Sequence, residues 1–159
     1  MNRAMPATFT IAVDAPRHLI AITMSGFFLS EDVEAYAIAL RKAHGLLTCP
    51  PNQHLTLADT VGMRIQTREV IEAFARQVRD PVLRSRRLAF VVGTSLARQQ
   101  VRRLPDPERE GVGYFDDRSA AEEWLMQDAV SADRTVFRYR HAPASPTSGG
   151  HGCTGRSAA

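Results

Sequence analysis

Few side chains in this chain could do chemistry, and their spacing decides whether any of them could act together. Nucleophilic catalysis needs a Ser, Thr or Cys beside a base that is itself held by an acid. The turn Gly93-Thr94-Ser95 follows an apolar run and opens a helical pattern, a place where free backbone N–H groups favour an anion. Arg98 lies on the helix that follows, so an enzyme acting on an anionic substrate would work here. The turn lacks the lysine and the glycines of a phosphate-binding loop, and the three glycines of a dinucleotide fingerprint, so no cofactor is expected. His18 and His54 fall at the starts of strand-like segments, opposite to the end where open α/β sheets keep their sites. His44 reads as the last-turn cation of a helix. The pairs Asp116-Asp117 and Glu122-Glu123 are adjacent in sequence and point apart; capping accounts for the first and solvation for the second. His141, His151 and Cys153 match no zinc spacing, and with Cys49 the only other cysteine there is no disulfide framework. These residues point away from an enzyme and away from a metal.

The arginines are more numerous than any of these. The chain has 159 residues and a net charge of +3. Between Arg76 and Arg109 nine arginines stand against three acids, a local excess of +6 that leaves −3 for the remainder. Arg84, Arg86, Arg87, Arg98, Arg102 and Arg103 could form a basic patch for nucleic acid, an acidic protein partner or anionic lipid, or simply a solvated face. No aromatic residue is interleaved with the helical ones to stack on bases, so nucleic acid is not the expected partner.

The elements that must position these residues can be read from periodicity. Thr8 to Asp14 and His18 to Ser25 alternate apolar with small or polar residues around Ala15-Pro16-Arg17, the pattern of a β-hairpin. Ser30 with Glu31 and Asp32 starts a helix that Lys42, His44 and Gly45 close. His54 to Asp59 is a short strand leading into a loop over residues 60–66. Thr67 caps a second helix, with Val70, Ile71, Phe74 and Val78 on one face, which ends near Asp80-Pro81. Arg87 to Val92 reads as a strand buried on both sides, and Leu96 to Leu104 as a helix stopped by Pro105 and Pro107. Val112 to Phe115 is a last strand before a helix capped by Asp116, Asp117 or Ser119 and anchored by Trp124 and Leu125. The order β-β-α-β-α-β-α-β-α predicts an α/β fold with a mostly parallel sheet and an antiparallel hairpin edge.

Around this body, residues 1–7 read as an N-terminal extension and 8–140 as one domain. Residues 134–140 alternate charged with apolar side chains and could add an edge strand. Residues 141–159 carry too little apolar surface to order themselves and read as a disordered tail. No apolar run reaches the roughly 18 to 20 residues of a membrane span, and the start, Met1 to Pro6, is too short and polar for a signal peptide. The expected location is therefore the cytoplasm.

Two stretches, Arg87 to Gly93 (RLAFVVG) and Tyr114 to Leu125 (YFDDRSAAEEWL), together with the element order, resemble the STAS superfamily of sulphate-transporter and anti-sigma factor antagonist domains. The resemblance is to its SpoIIAA-like branch of stand-alone bacterial proteins and spans the core, residues 8–127. It implies a non-catalytic regulatory or protein-binding module whose partner surface is the 62–67 loop and the second helix. In that family a Ser after an Asp at the start of the second helix is phosphorylated. A gapless overlay running from Asp59 through Gly62 places Gln66 and Thr67 there, so the hydroxyl is kept while the carboxylate is replaced by an amide. Arg68 and Glu69 stand where the family's motif continues with small residues. The resemblance also implies, as an alternative, a groove beside the sheet that takes a lipid or a small apolar ligand. A homodimer is compatible with it.

Overall fold

The computed structural model describes residues 5–93 and 95–127. Residues 134–140 and 141–159, and Thr94, lie outside the described residues. Nine elements alternate as the periodicity predicts: β1 (Thr8–Asp14), β2 (Leu19–Gly26), α1 (Ser30–His44), β3 (Leu55–Met63), α2 (Arg68–Arg79), β4 (Arg87–Val91), α3 (Ser95–Val101), β5 (Val112–Phe115) and α4 (Arg118–Met126). The strands lie in sequence order in one five-stranded sheet. β1 pairs antiparallel with β2, with Thr8 opposite Ser25 and Asp14 opposite Leu19. The remaining pairs, β2–β3, β3–β4 and β4–β5, are parallel.

That order has a geometric consequence. Successive crossovers of one hand that always move in the same direction across a sheet put their helices on one face. α1, α2 and α3 accordingly pack together on one side, where Val33, Tyr36, Val70, Phe74, Val101 and Leu104 meet Ile20, Ile22, Met24, Ala58, Leu88 and Phe90. α4 follows the last strand and covers the other side, where Ala121 and Leu125 pack on Leu19, Leu55, Leu57, Ala89 and Val91. α4 does not extend over the hairpin. Thr8, Thr10, Ala12 and Thr23 on that side are exposed.

Three boundaries differ from expectation, each for a local reason. β3 runs on through residues 60–63, where a loop is expected, because Gly62 and Met63 pair with Ser25 and Gly26 after one extra residue in β3 shifts the register. Gly62 makes this approach possible, since a Cβ there would sit 2.6 Å from the Cβ of Ser25. In α1 the cap is Leu29 and not Ser30, and the Asp32 carboxylate accepts the Leu29 N–H at 2.8 Å. The α4 cap, by contrast, is one of the three expected candidates, Asp117, whose carboxylate accepts from Ala120 N at 2.9 Å. Part of the N-terminal extension joins the sheet as well: Phe27 N donates to Met5 O at 3.0 Å, and Pro6 bridges to Phe27. Gly26 permits this with φ +85°, a conformation L side chains rarely adopt, and a Cβ there would collide with the Pro6 carbonyl.

Candidate functional site

The parallel strands end in three neighbouring loops. The 64–66 segment is tied to the β2–α1 loop because Arg64 N donates to Gly26 O at 3.1 Å. Gln66 is buried, and its amide is fully used: Oε1 accepts from Phe28 N at 2.8 Å, and Nε2 donates to Gly26 O at 3.0 Å and Arg64 O at 2.6 Å. Its backbone forms a reciprocal pair with the Gln100 amide, 2.9 Å in each direction, which joins the loop to α3. Gln66 therefore points inward and shapes the surface from beneath. Thr67 is exposed and caps α2, accepting from Val70 N at 3.3 Å. Asp59 lies on the α4 side of the sheet, where Oδ1 accepts from Val61 N and Oδ2 lies 3.8 Å from Arg118 Nη1.

This end of the sheet displays apolar side chains to solvent. Val61 and Ile65 are each 52% exposed, and Leu29 and Leu96, from the neighbouring loop and the first turn of α3, are comparably open. Gly93, in the β4–α3 turn, lies against Val61. Four apolar residues from three chain segments thus share the carboxyl end of the sheet.

Gly93 and the start of α3 lie at the same end, and Arg98 pairs with Asp116 through Nη2 and Oδ1. The six arginines of the sequence patch do not share one face. Arg87 turns to the α4 side, donating to Trp124 O at 2.7 Å with its guanidinium over the Trp124 ring. Arg102 lies over Tyr114. Arg84, Arg86 and Arg103 are exposed, the first two near the amino end of β4.

At the opposite, amino end of the strands lies a polar cluster whose members are too far apart in sequence for their spacing to suggest it. A cavity of about 70 Å³ runs between the sheet and α1 to α3. Its amino end holds His44, His54, Ser85 and Arg109, and its other end reaches Gln66 and Gln100 beneath the 64–66 segment. The two imidazoles meet Nε2 to Nε2 at 3.1 Å, with rings edge to face. His54 is 1% exposed, and its pKa is pushed down to about 4, first by burial and then by His44 and Arg109. Arg109 donates from Nη1 to Val78 O at 3.1 Å, and from Nη2 to Ser85 O at 3.1 Å and Ser85 Oγ at 3.2 Å. One signal for the cluster was present in the sequence: His54 shares the alternation of Thr56, Ala58 and Thr60, the inward column of β3. Among the described residues no three His, Cys, Asp or Glu side chains gather to hold a metal, and no helix is long and apolar enough to cross a membrane.

No family model and no curated protein matches the chain. Solved structures do. One is an uncharacterized protein of the DUF3478 family with a SpoIIAA-like fold from Shewanella loihica, superposing with a TM-score of 0.57 at 17% identity over 75% of this chain and 93% of that one. Another is an anti-sigma factor antagonist from Mycobacterium paratuberculosis, with a TM-score of 0.53 at 10% identity over 77% of this chain and 96% of that one. At these identities the likeness is one of architecture, and a parallel sheet begun by an antiparallel hairpin, with helices on both faces, gives this chain the SpoIIAA-like fold.

Proposed function

We propose that the chain is a non-catalytic regulatory module that docks a protein partner on the carboxyl end of its sheet, across the 62–67 loop and the start of α2. The observation that carries this reading is the cluster of exposed Val61, Ile65, Leu29 and Leu96, drawn from three segments and braced by the buried Gln66 amide. Exposed apolar side chains on a backbone tied down by buried hydrogen bonds are what a partner can desolvate at a smaller ordering cost. The anti-sigma factor antagonist among the structural neighbours supports the regulatory class. Thr67 stands exposed on this surface at a helix N-terminus, where added phosphate would be tolerated by the helix dipole while changing the charge the partner meets.

The test is comparative capture of partners from lysate of the source cells, with quantification by mass spectrometry. A protein enriched by the natural chain should fall at least tenfold in enrichment for Val61→Asp/Ile65→Asp, in line with hot-spot losses of about 2 kcal/mol or more. It should be retained by Thr23→Asp, on the uncovered side of the sheet. Thr67→Glu should weaken capture, and Thr67→Ser should not. Equal enrichment by the natural chain and the double variant would exclude this surface.

A further inference from the structure

The cavity beside the sheet is apolar through most of its length, walled by Ile22, Ala58, Phe74, Leu88, Phe90 and Val101. Its amino end contains a cation. The Arg109 guanidinium is half-buried, and among the described residues no carboxylate bridges to it. Asp106, three residues away, bridges to Arg79 at 3.4 Å instead. Two carbonyls and one hydroxyl take the Nη1 and Nη2 protons, while the buried Nε finds no acceptor. Ser85 Oγ accepts from Arg109, which leaves its hydroxyl proton free to be donated. Gln77, beside the Val78 carbonyl that Arg109 holds, has a buried Oε1 with no donor. Asp106 acts on this charge only from a distance, without a direct ion pair; a half-buried cation held by neutral acceptors is costly, and so is an unpaired buried acceptor, and one ligand can relieve both.

The geometry points to a site for a short 2-hydroxy acid, its carboxylate held by Arg109 Nε and the Ser85 hydroxyl, its hydroxyl by Gln77 Oε1, and its alkyl group against the apolar wall. At about 70 Å³ the cavity suits a small acid. This small-molecule site lies at the opposite end of the strands from the proposed docking surface, and each can stand or fall without the other.

Titration of the full chain with lactate, followed by amide and side-chain NMR shifts, tests it. Saturable shifts at Gln77, Ser85 and Arg109 are expected with a dissociation constant in the millimolar range. Lactamide, which keeps shape and loses charge, should bind at least tenfold more weakly, since a hydrogen bond to a charged group carries about one to two powers of ten. Propanoate, without the hydroxyl, should be weaker by a few fold, and inorganic phosphate should not compete. Arg109→Gln should lose binding. Because Arg109 also braces two carbonyls, Ala58→Leu provides a second variant, filling the apolar part while leaving the polar end intact; it too should lose binding. Absence of saturable shifts, equal affinity for lactamide, competition by phosphate, or full affinity in folded Ala58→Leu would each overturn the assignment.

Discussion

Gln66 shows how one buried amide can do structural work that its sequence position conceals. In the overlay it occupies the place of an acidic residue, yet it pairs with the backbone of Phe28, Gly26 and Arg64 from within. Gln66→Ala should cost about 3 kcal/mol in urea denaturation, because it leaves the buried Phe28 N–H and the Arg64 carbonyl without these partners, while Gly26 O keeps only Arg64 N. Gln66→Glu should cost at least as much at neutral pH and recover partly in acid, since a carboxylate can accept from Phe28 but cannot donate to either carbonyl. His54 gives the chain a pH dependence. In the unfolded chain the imidazole takes its proton near pH 6.5, whereas the folded chain resists protonation until about pH 4. The native state therefore binds fewer protons between those values, so the stability present above pH 6.5 falls as pH drops through this window. The loss should reach about 2 kcal/mol by pH 5. Urea midpoints at pH 7 and pH 5 measure it, and His54→Phe should remove most of the difference.

At the scale of elements, α2 depends on its first turn. Thr67→Ala should lower stability by about 1 kcal/mol through loss of the cap, with Thr67→Ser close to neutral. At the end of β3, Gly62→Ala should cost about 1 to 3 kcal/mol, because the new methyl meets Ser25 across the strand pair. Much of this architecture was legible in the sequence. Strands such as Thr8–Asp14 and Val112–Phe115 announce themselves by alternation and bounding turns, and α2 by one apolar face and a capping Thr. What escaped was contact over distance. The extension of β3 depends on a glycine facing Ser25 of another strand, and Asp32 capping Leu29 makes Ser30 the first helical residue instead of the cap. The arginine run looked like one patch because the residues are close in sequence, but alternation and helical rotation send Arg87 to Trp124 and Arg102 to Tyr114. The His44–His54 pair joins the end of one helix to the start of the next strand, and no local pattern encodes a meeting at 3.1 Å.

For the whole molecule, the sheet is a partition. The cluster under α1 to α3 and the cluster under α4 share no side chain, so losses on the two sides should add. Leu125→Ala, at a fully buried position beneath α4, should cost about 3 kcal/mol, and Val70→Ala about 2 kcal/mol. The double variant should fall within about 0.5 kcal/mol of their sum. A clear excess over the sum would mean that the two sides communicate through the strands.

The partition is also uneven, and that unevenness sets an order in time. Leu57 and Ala89, in the middle strands, are sealed under α4 while their neighbours Ala58, Leu88 and Phe90 are sealed from the opposite side. β1 has helices on one side only, bare Thr8, Thr10 and Ala12 on the other, and no described strand along its outer edge. In deuterated water the amides of β1 should exchange through small local openings, while those of Leu57 and Ala89 should wait for the molecule to unfold as a whole. The hairpin that begins the sheet is then the first part of it to come loose.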